Sequence, residues 1–163
     1  RREKKNLYNF LRECAKEPVS RVTMDYNIGL PTNIAKQKLQ LKNGEEVLAS
    51  NNVYWGEEGP IGQSFLQIPM ELITGSGIDG KEPDEEQLLH FMDSMIYQKA
   101  VKAHMTIQVV AADEQVISYM NIPEGTVLLH MEQILYGPDF SPAARIKYYF
   151  IPDKYQVDCQ LQA

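Results

Sequence analysis

Cysteine is scarce in this chain. Cys14 and Cys159 are the only two in 163 residues, too few for a disulfide framework, and both are expected as thiols of a reducing compartment. Long apolar runs are lacking as well, since no segment reaches the about 18 consecutive apolar residues of a membrane span. The start, Arg1-Arg2-Glu3-Lys4-Lys5, is basic rather than apolar and does not read as a secretion signal. A cytoplasmic location with no membrane partner is the expectation. Basic charge is thin too: 16 Lys and Arg stand against 22 Asp and Glu, a net charge of −6, which leaves no broad footprint for nucleic-acid phosphates. Arginine is missing altogether between Arg21 and Arg145.

Motifs that would carry catalysis are missing in the same way. A serine or cysteine nucleophile needs an adjacent base, but there is no Gly-x-Ser-x-Gly elbow, and His90, His104 and His130 each fit an ordinary structural position. No His, Cys or carboxylate set has metal-ligand spacing, so neither a metal nor a cofactor is expected. Gly75, Gly77 and Gly80 are not followed by the Lys-Ser/Thr of a phosphate cradle and read as loop glycines. The acidic run Asp84-Glu85-Glu86 suits a helix start, where the dipole favours negative charge.

What is present is enough chain for one globular domain, able to bury about 70% of its unfolded surface. The organising feature is a pair of long alternating strands, Thr126 to Tyr136 and Ala143 to Ile151, joined by the turn Gly137-Pro138-Asp139-Phe140-Ser141-Pro142. Val127, Leu129, Met131 and Leu135, with Gln133 as the one polar member, should share a face with Ala144, Ile146, Tyr148 and Phe150. The opposite face, with Arg145 and Lys147, should be half wetted.

Further strands are expected over Val19 to Ile28, Glu46 to Trp55, Ile61 to Ile68 and Met105 to Val110. Helices are expected over Asn6 to Ala15, from an opening at Pro31-Thr32-Asn33 to Leu39 with Ile34, Ala35, Lys38 and Leu39 inward, and from Asp113 to Met120. The strongest helix signal starts at Asp84, with Gln87 completing a capping box and Leu88, Leu89, Met92, Met95 and Ile96 forming its buried stripe. After the hairpin made by Glu46 to Trp55 and Ile61 to Ile68, Thr74 to Glu82 reads as a surface loop leading to this helix. Helix followed by hairpin occurs twice, over Asn33 to Ile68 and Asp113 to Ile151, which is consistent with a pseudo-symmetric sheet. Mixed helices and antiparallel hairpins make this an α+β fold.

Two strands offer neutral hydrogen-bonding groups on one face: Ser50, Asn52 and Tyr54 on one, and Thr106 and Gln108 on the other. Spacing alone fits a small-ligand pocket and a solvent-facing strand equally well.

Several phrases in fixed order carry a resemblance. Pro31-Thr32-Asn33-Ile34-Ala35, Asn43-Gly44-Glu45-Glu46-Val47, Ile68-Pro69, Ile122-Pro123-Glu124-Gly125-Thr126, Ser141-Pro142 and Asp153-Lys154-Tyr155 together resemble the UTRA domain, the effector-binding domain of GntR-type bacterial transcription regulators of the HutC branch. The resemblance runs from Leu7 to the end. It implies a chorismate-lyase-like fold, an antiparallel sheet flanked by helices, that binds a small metabolite and forms a homodimer. Residues 1–6 would end an interdomain linker, and operator DNA would be bound by a winged helix-turn-helix domain preceding Arg1.

The resemblance also implies where the ligand is held: near Asn52 and Tyr54, near Thr106 and Gln108, and at Ala144 and Phe150, with Tyr148 as a polar handle on the apolar face. Phosphosugar-responsive members carry arginines at the positions of Asn52 and Tyr54 and a glutamate at that of Ala144. Their absence here points to a neutral or weakly charged, partly apolar effector, because a bidentate anion clamp needs the guanidinium fork. A chorismate-lyase-like enzyme acting on an aromatic carboxylate is the alternative, with Arg145 and Glu132 as its nearest charged pair.

Overall fold

The computed structural model describes residues 7–163, so the basic start read as a linker end lies outside the described residues. The strands are β1 (Arg21–Gly29), β2 (Val47–Trp55), β3 (Pro60–Pro69), β4 (Lys102–Ala111), β5 (Val127–Tyr136) and β6 (Pro142–Phe150). They form a six-stranded sheet in the order β1-β2-β3-β6-β5-β4, antiparallel throughout. The helices are α1 (Phe10–Glu13), α2 (Asn33–Lys38), α3 (Met70–Thr74), α4 (Glu85–His90), α5 (Ile96–Lys99) and α6 (Glu114–Met120), with a π-helical turn, Phe91–Met95, joining α4 to α5. This is an α+β architecture.

The repeated helix-and-hairpin pattern becomes two similar halves. β1-α2-β2-β3 and β4-α6-β5-β6 meet where β3 pairs with β6, so the hairpin that dominates the sequence contributes a central strand. Helix starts are fixed by side-chain caps, Asp84 as expected and Thr32 and Asp113 besides: Thr32, Asp84 and Asp113 accept from the backbone N–H of Ala35, Gln87 and Val116 at 3.2, 3.0 and 2.9 Å. α6 stops at Asn121, which adopts the left-handed conformation with φ 53°.

The inner face of the sheet packs against α1, α3 and the α4–α5 helix. Its core includes Leu11, Leu48, Leu66, Ile68, Leu88, Met92, Met131, Ile146 and Phe150. Gly62 of β3 sits where a side chain would strike Leu11 and the Tyr155 hydroxyl, at 2.6 and 2.8 Å from an added Cβ, so the chain ends close tightly over this strand. A smaller cluster of Val116, Met120, Leu128 and Tyr149 covers the outer face beneath α6.

Four expectations change. α1 ends at Glu13, because the next residues leave the helix to pair with the far end of the chain: Ala15 bridges Tyr155, and Lys16 N–H donates to the Lys154 carbonyl at 2.9 Å. Ile34, Lys38 and Val127 are exposed instead of facing inward. The outer face of β6 is drier than alternation suggested, with Arg145 and Tyr149 both buried, since helices lie on this side too. The stripe of the long helix is Leu88, Phe91, Met92, Ile96 and Tyr97, with Met95 only half-buried. The π turn explains that shift: one inserted residue makes i+5 equivalent to an ordinary i+4 neighbour, so Phe91 and Ile96, and likewise Met92 and Tyr97, share a face.

Candidate functional site

Strand pairing sets polar side chains into rows across the inner face. Asn52, Ser64 and Tyr148 stand side by side on β2, β3 and β6, and Ser50, Leu66, Ile146 and Gln133 form the adjoining row. Tyr54, Gly62 and Phe150 make a third. The polar members are all buried. A core of this size fills readily with aliphatic residues, so a buried run of amides and hydroxyls departs from the cheapest packing.

Tyr148, Gln133, Ser50, Asn52 and Tyr54 each have a hydrogen-bond partner. Tyr148 donates to Gln133 Oε1 at 2.9 Å, and the Tyr97 and Tyr148 hydroxyls lie 2.5 Å apart, so Tyr97 supplies the proton of that contact. Ser50 donates to Asn52 Oδ1 at 2.6 Å, while Asn52 Nδ2 faces Met92 Sδ at 3.9 Å across the π turn. Nearby, Tyr54 donates to Asp93 Oδ1 at 2.7 Å and accepts from Asn9 Nδ2 at 2.8 Å. Arg12 reaches the other oxygen of Asp93 from the surface and closes the rim of the network with an ion pair.

Burial pushes the phenols of Tyr54, Tyr97 and Tyr148 well above the ordinary tyrosine range, and the Asp93 carboxylate pushes Tyr54 further in the same direction. All three therefore remain neutral donors and acceptors at physiological pH. The arrangement can orient a small molecule by neutral hydrogen bonds between aromatic walls, with Phe10 and Phe150 packed on Tyr148 at centroid distances of 5.9 and 6.0 Å.

Of the residues singled out in the sequence, Asn52, Tyr54, Ala144, Tyr148 and Phe150 are brought together on this inner face. Thr106 and Gln108 are not. They lie exposed on edge strand β4, opposite Glu132 and His130 of β5, and so point to the outer face. Residues that sequence reasoning passed over are Asn9, Ser64, Asp93 and Tyr97. A carboxylate beside the helix stripe was the available signal for Asp93, but its partner Asn9 is 84 positions away.

The outer face is built differently. Arg145 donates to Glu132 Oε2 at 2.9 Å and to Gln67 Oε1 at 2.8 Å, and Lys38 of α2 reaches both oxygens of Glu132 at 2.5 and 2.7 Å. Burial pushes Glu132 up, but the hydrogen bonds and charges of Lys38 and Arg145 outweigh it and hold the carboxyl below its ordinary range. Both members of this pair are thus engaged on the face opposite the tyrosine network. Among the described residues no group of three or more His, Cys, Asp or Glu could hold a metal ion, and no helix is long and apolar enough to cross a membrane.

No family model matches the sequence, and no curated protein matches it. Solved structures do. A GntR-family transcriptional regulator from Enterococcus faecalis superposes with a TM-score of 0.73 at 19% identity, over 86% of this chain and all of that one. The fold is that of GntR-family effector-binding domains. The possible transcriptional regulator YydK of Bacillus subtilis is similar over all of this chain and 71% of its own, with a TM-score of 0.74 at 16% identity. The effector-binding domain of the Bacillus subtilis trehalose repressor matches at 0.70 and 8% identity, over 88% of this chain and 99% of its own. An effector-domain fold kept at such identities leaves ligand choice to the side chains that line each site.

Proposed function

We propose that this chain is the effector-binding and dimerisation domain of a cytoplasmic GntR regulator of the HutC branch, not an enzyme. Its inner face takes a small, neutral or weakly charged, partly apolar metabolite. The observation that carries this reading is the buried row of Asn52, Ser64 and Tyr148 with the Tyr97–Tyr148–Gln133 chain beside it. Nothing in that row supplies a guanidinium. Arg12 at the rim is committed to Asp93, and Arg145 lies on the other face.

Entry requires the α4–α5 helix to shift, since the row is sealed beneath it. The π turn is the segment suited to that movement, because its hydrogen-bond ladder is already widened where Met92 touches Asn52. Ligand binding would favour one position of this helix and so bias a preceding winged-helix domain on operator DNA, with a coupling of about 1–3 kcal/mol. Dimerisation fits edge strand β4, where Ile107 and Val109 are 54% and 72% exposed and share a face with exposed Val127. An open ladder flanked by apolar side chains suits antiparallel pairing with a second copy.

Calorimetric titration tests the ligand class. Glucose 6-phosphate should give no micromolar binding, whereas a pool of neutral metabolites should raise the thermal midpoint of the wild type and have little effect on Tyr148→Phe. Micromolar binding of the phosphosugar overturns the neutral-effector reading. For the dimer, sedimentation of an Ile107→Lys/Val109→Lys variant should show a monomer that still folds, and an unchanged dimer would exclude β4.

A further inference from the structure

A cavity of about 200 Å³ lies on the other flank of the α4–α5 helix, away from the tyrosine network. Leu72, Phe91, Ile96 and Ala143 make it apolar, and the β5–β6 turn at Gly137-Pro138 closes one side. Its volume falls below the about 300–1,000 Å³ of drug-sized sites, so its occupant must be small. Two side chains of opposite charge, Glu71 from α3 and Lys99 from α5, stand among these apolar walls. Lys99 is positioned rather than loose: its ammonium donates to Ser76 Oγ at 2.9 Å and lies 5.7 Å from the centre of the Phe91 ring. Ser76 uses one of the three ammonium donors, leaving capacity for a carboxylate. The Glu71 carboxylate can accept from an ammonium in the same way.

We infer that this cavity is a second ligand site, for a zwitterionic amino acid with a short aliphatic side chain. The side chain fills the space between Leu72, Phe91 and Ile96, Lys99 takes the α-carboxylate, and Glu71 takes the α-ammonium. An anion alone would meet Glu71 unfavourably and a cation alone would meet Lys99, so a molecule carrying both charges fits where either half does not. The site is separate from the proposed effector position and does not depend on it. It shares the helix, however: Phe91 and Ile96 are the immediate neighbours of Met92 and Tyr97, which face the buried polar row.

Calorimetry of the chain with L-leucine, 4-methylpentanoate and 3-methylbutylamine tests this. L-leucine should bind saturably at one site, and the two half-charged analogues about tenfold or more weaker, the loss of one charge-assisted contact. Lys99→Met and Glu71→Gln alter exposed residues and should each weaken L-leucine binding by a similar factor, while Tyr148→Phe leaves it unchanged. The site is overturned if L-leucine does not bind, or if Lys99→Met and Glu71→Gln bind it as wild type does. Loss of L-leucine binding in Tyr148→Phe would move the amino acid to the tyrosine network and equally overturn it.

Discussion

The two faces of the central strands bury polar side chains in adjacent rows, yet they do so with opposite chemistry. Inward, neutral groups bond one another, Tyr148 with Gln133 and Tyr97 and Ser50 with Asn52; outward, one residue along the same strands, Arg145 and Glu132 form an ion pair reinforced by Lys38 and Gln67. A neutral hydrogen bond contributes only about 1 kcal/mol net, so the inner network can exchange partners with an incoming molecule at small cost. A buried charge left alone costs far more, so the outer network fastens α2 to the sheet. The inner face is therefore the one that can open.

Breaking the outer face should therefore have the largest effect on stability. Arg145→Met leaves Glu132 with Lys38 alone, and should cost about 3 kcal/mol in urea unfolding. Adding Glu132→Leu should recover much of that loss, because the carboxylate that has lost its buried partner and keeps only the half-exposed Lys38 is then gone. A double variant as unstable as the single would mean that Arg145 acts through packing instead. On the inner face, Tyr148→Phe should cost only about 1–2 kcal/mol, since it unpairs Tyr97 and Gln133 without burying a bare charge. Its main effect should fall on effector binding, and equal effector affinity in the variant would remove Tyr148 from the site.

The smallest expected effect is a pH dependence between the faces. His130 donates from Nδ1 to the Tyr148 carbonyl at 2.9 Å and stacks on Tyr149, and its burial holds the imidazole below its ordinary value, with Lys147 and Arg145 acting in the same direction and Glu132 and the Tyr148 carbonyl opposing. The unfolded chain then binds the proton more readily than the folded one. Stability from this group is complete above the unfolded imidazole value and is lost as pH falls through the lower folded value. Thermal unfolding from pH 7.5 to 5 should show a decline that His130→Gln lessens; the same decline in both proteins would assign it to other groups.

Much of the fold was legible in the residues. Alternation placed the hairpin from β5 to β6 to within a residue or two, and Asp84 announced its helix because capping is local chemistry. Gln133 stood out as the one polar residue on an apolar strand face, and it became part of the inner network. The resemblance put Thr106 and Gln108 in one site with Asn52, and alternation gave each strand a consistent face, but alternation within one strand does not say which face of the sheet it joins. Only the pairing of β4 with β5 decides that.

The periodicities, the Asp84 cap, the doubled helix-and-hairpin order and the lack of arginine in the middle of the chain are legible in the residues alone, since each lies in composition or in short-range pattern. Long-range packing is what gives Asn9, Tyr54 and Asp93 one set of hydrogen bonds, moves the buried stripe onto Phe91 and Tyr97 at a π turn, and buries Arg145 against Glu132 and Gln67. Those outcomes depend on contacts between residues tens of positions apart. A short-range pattern carries no information about them until the strands are paired.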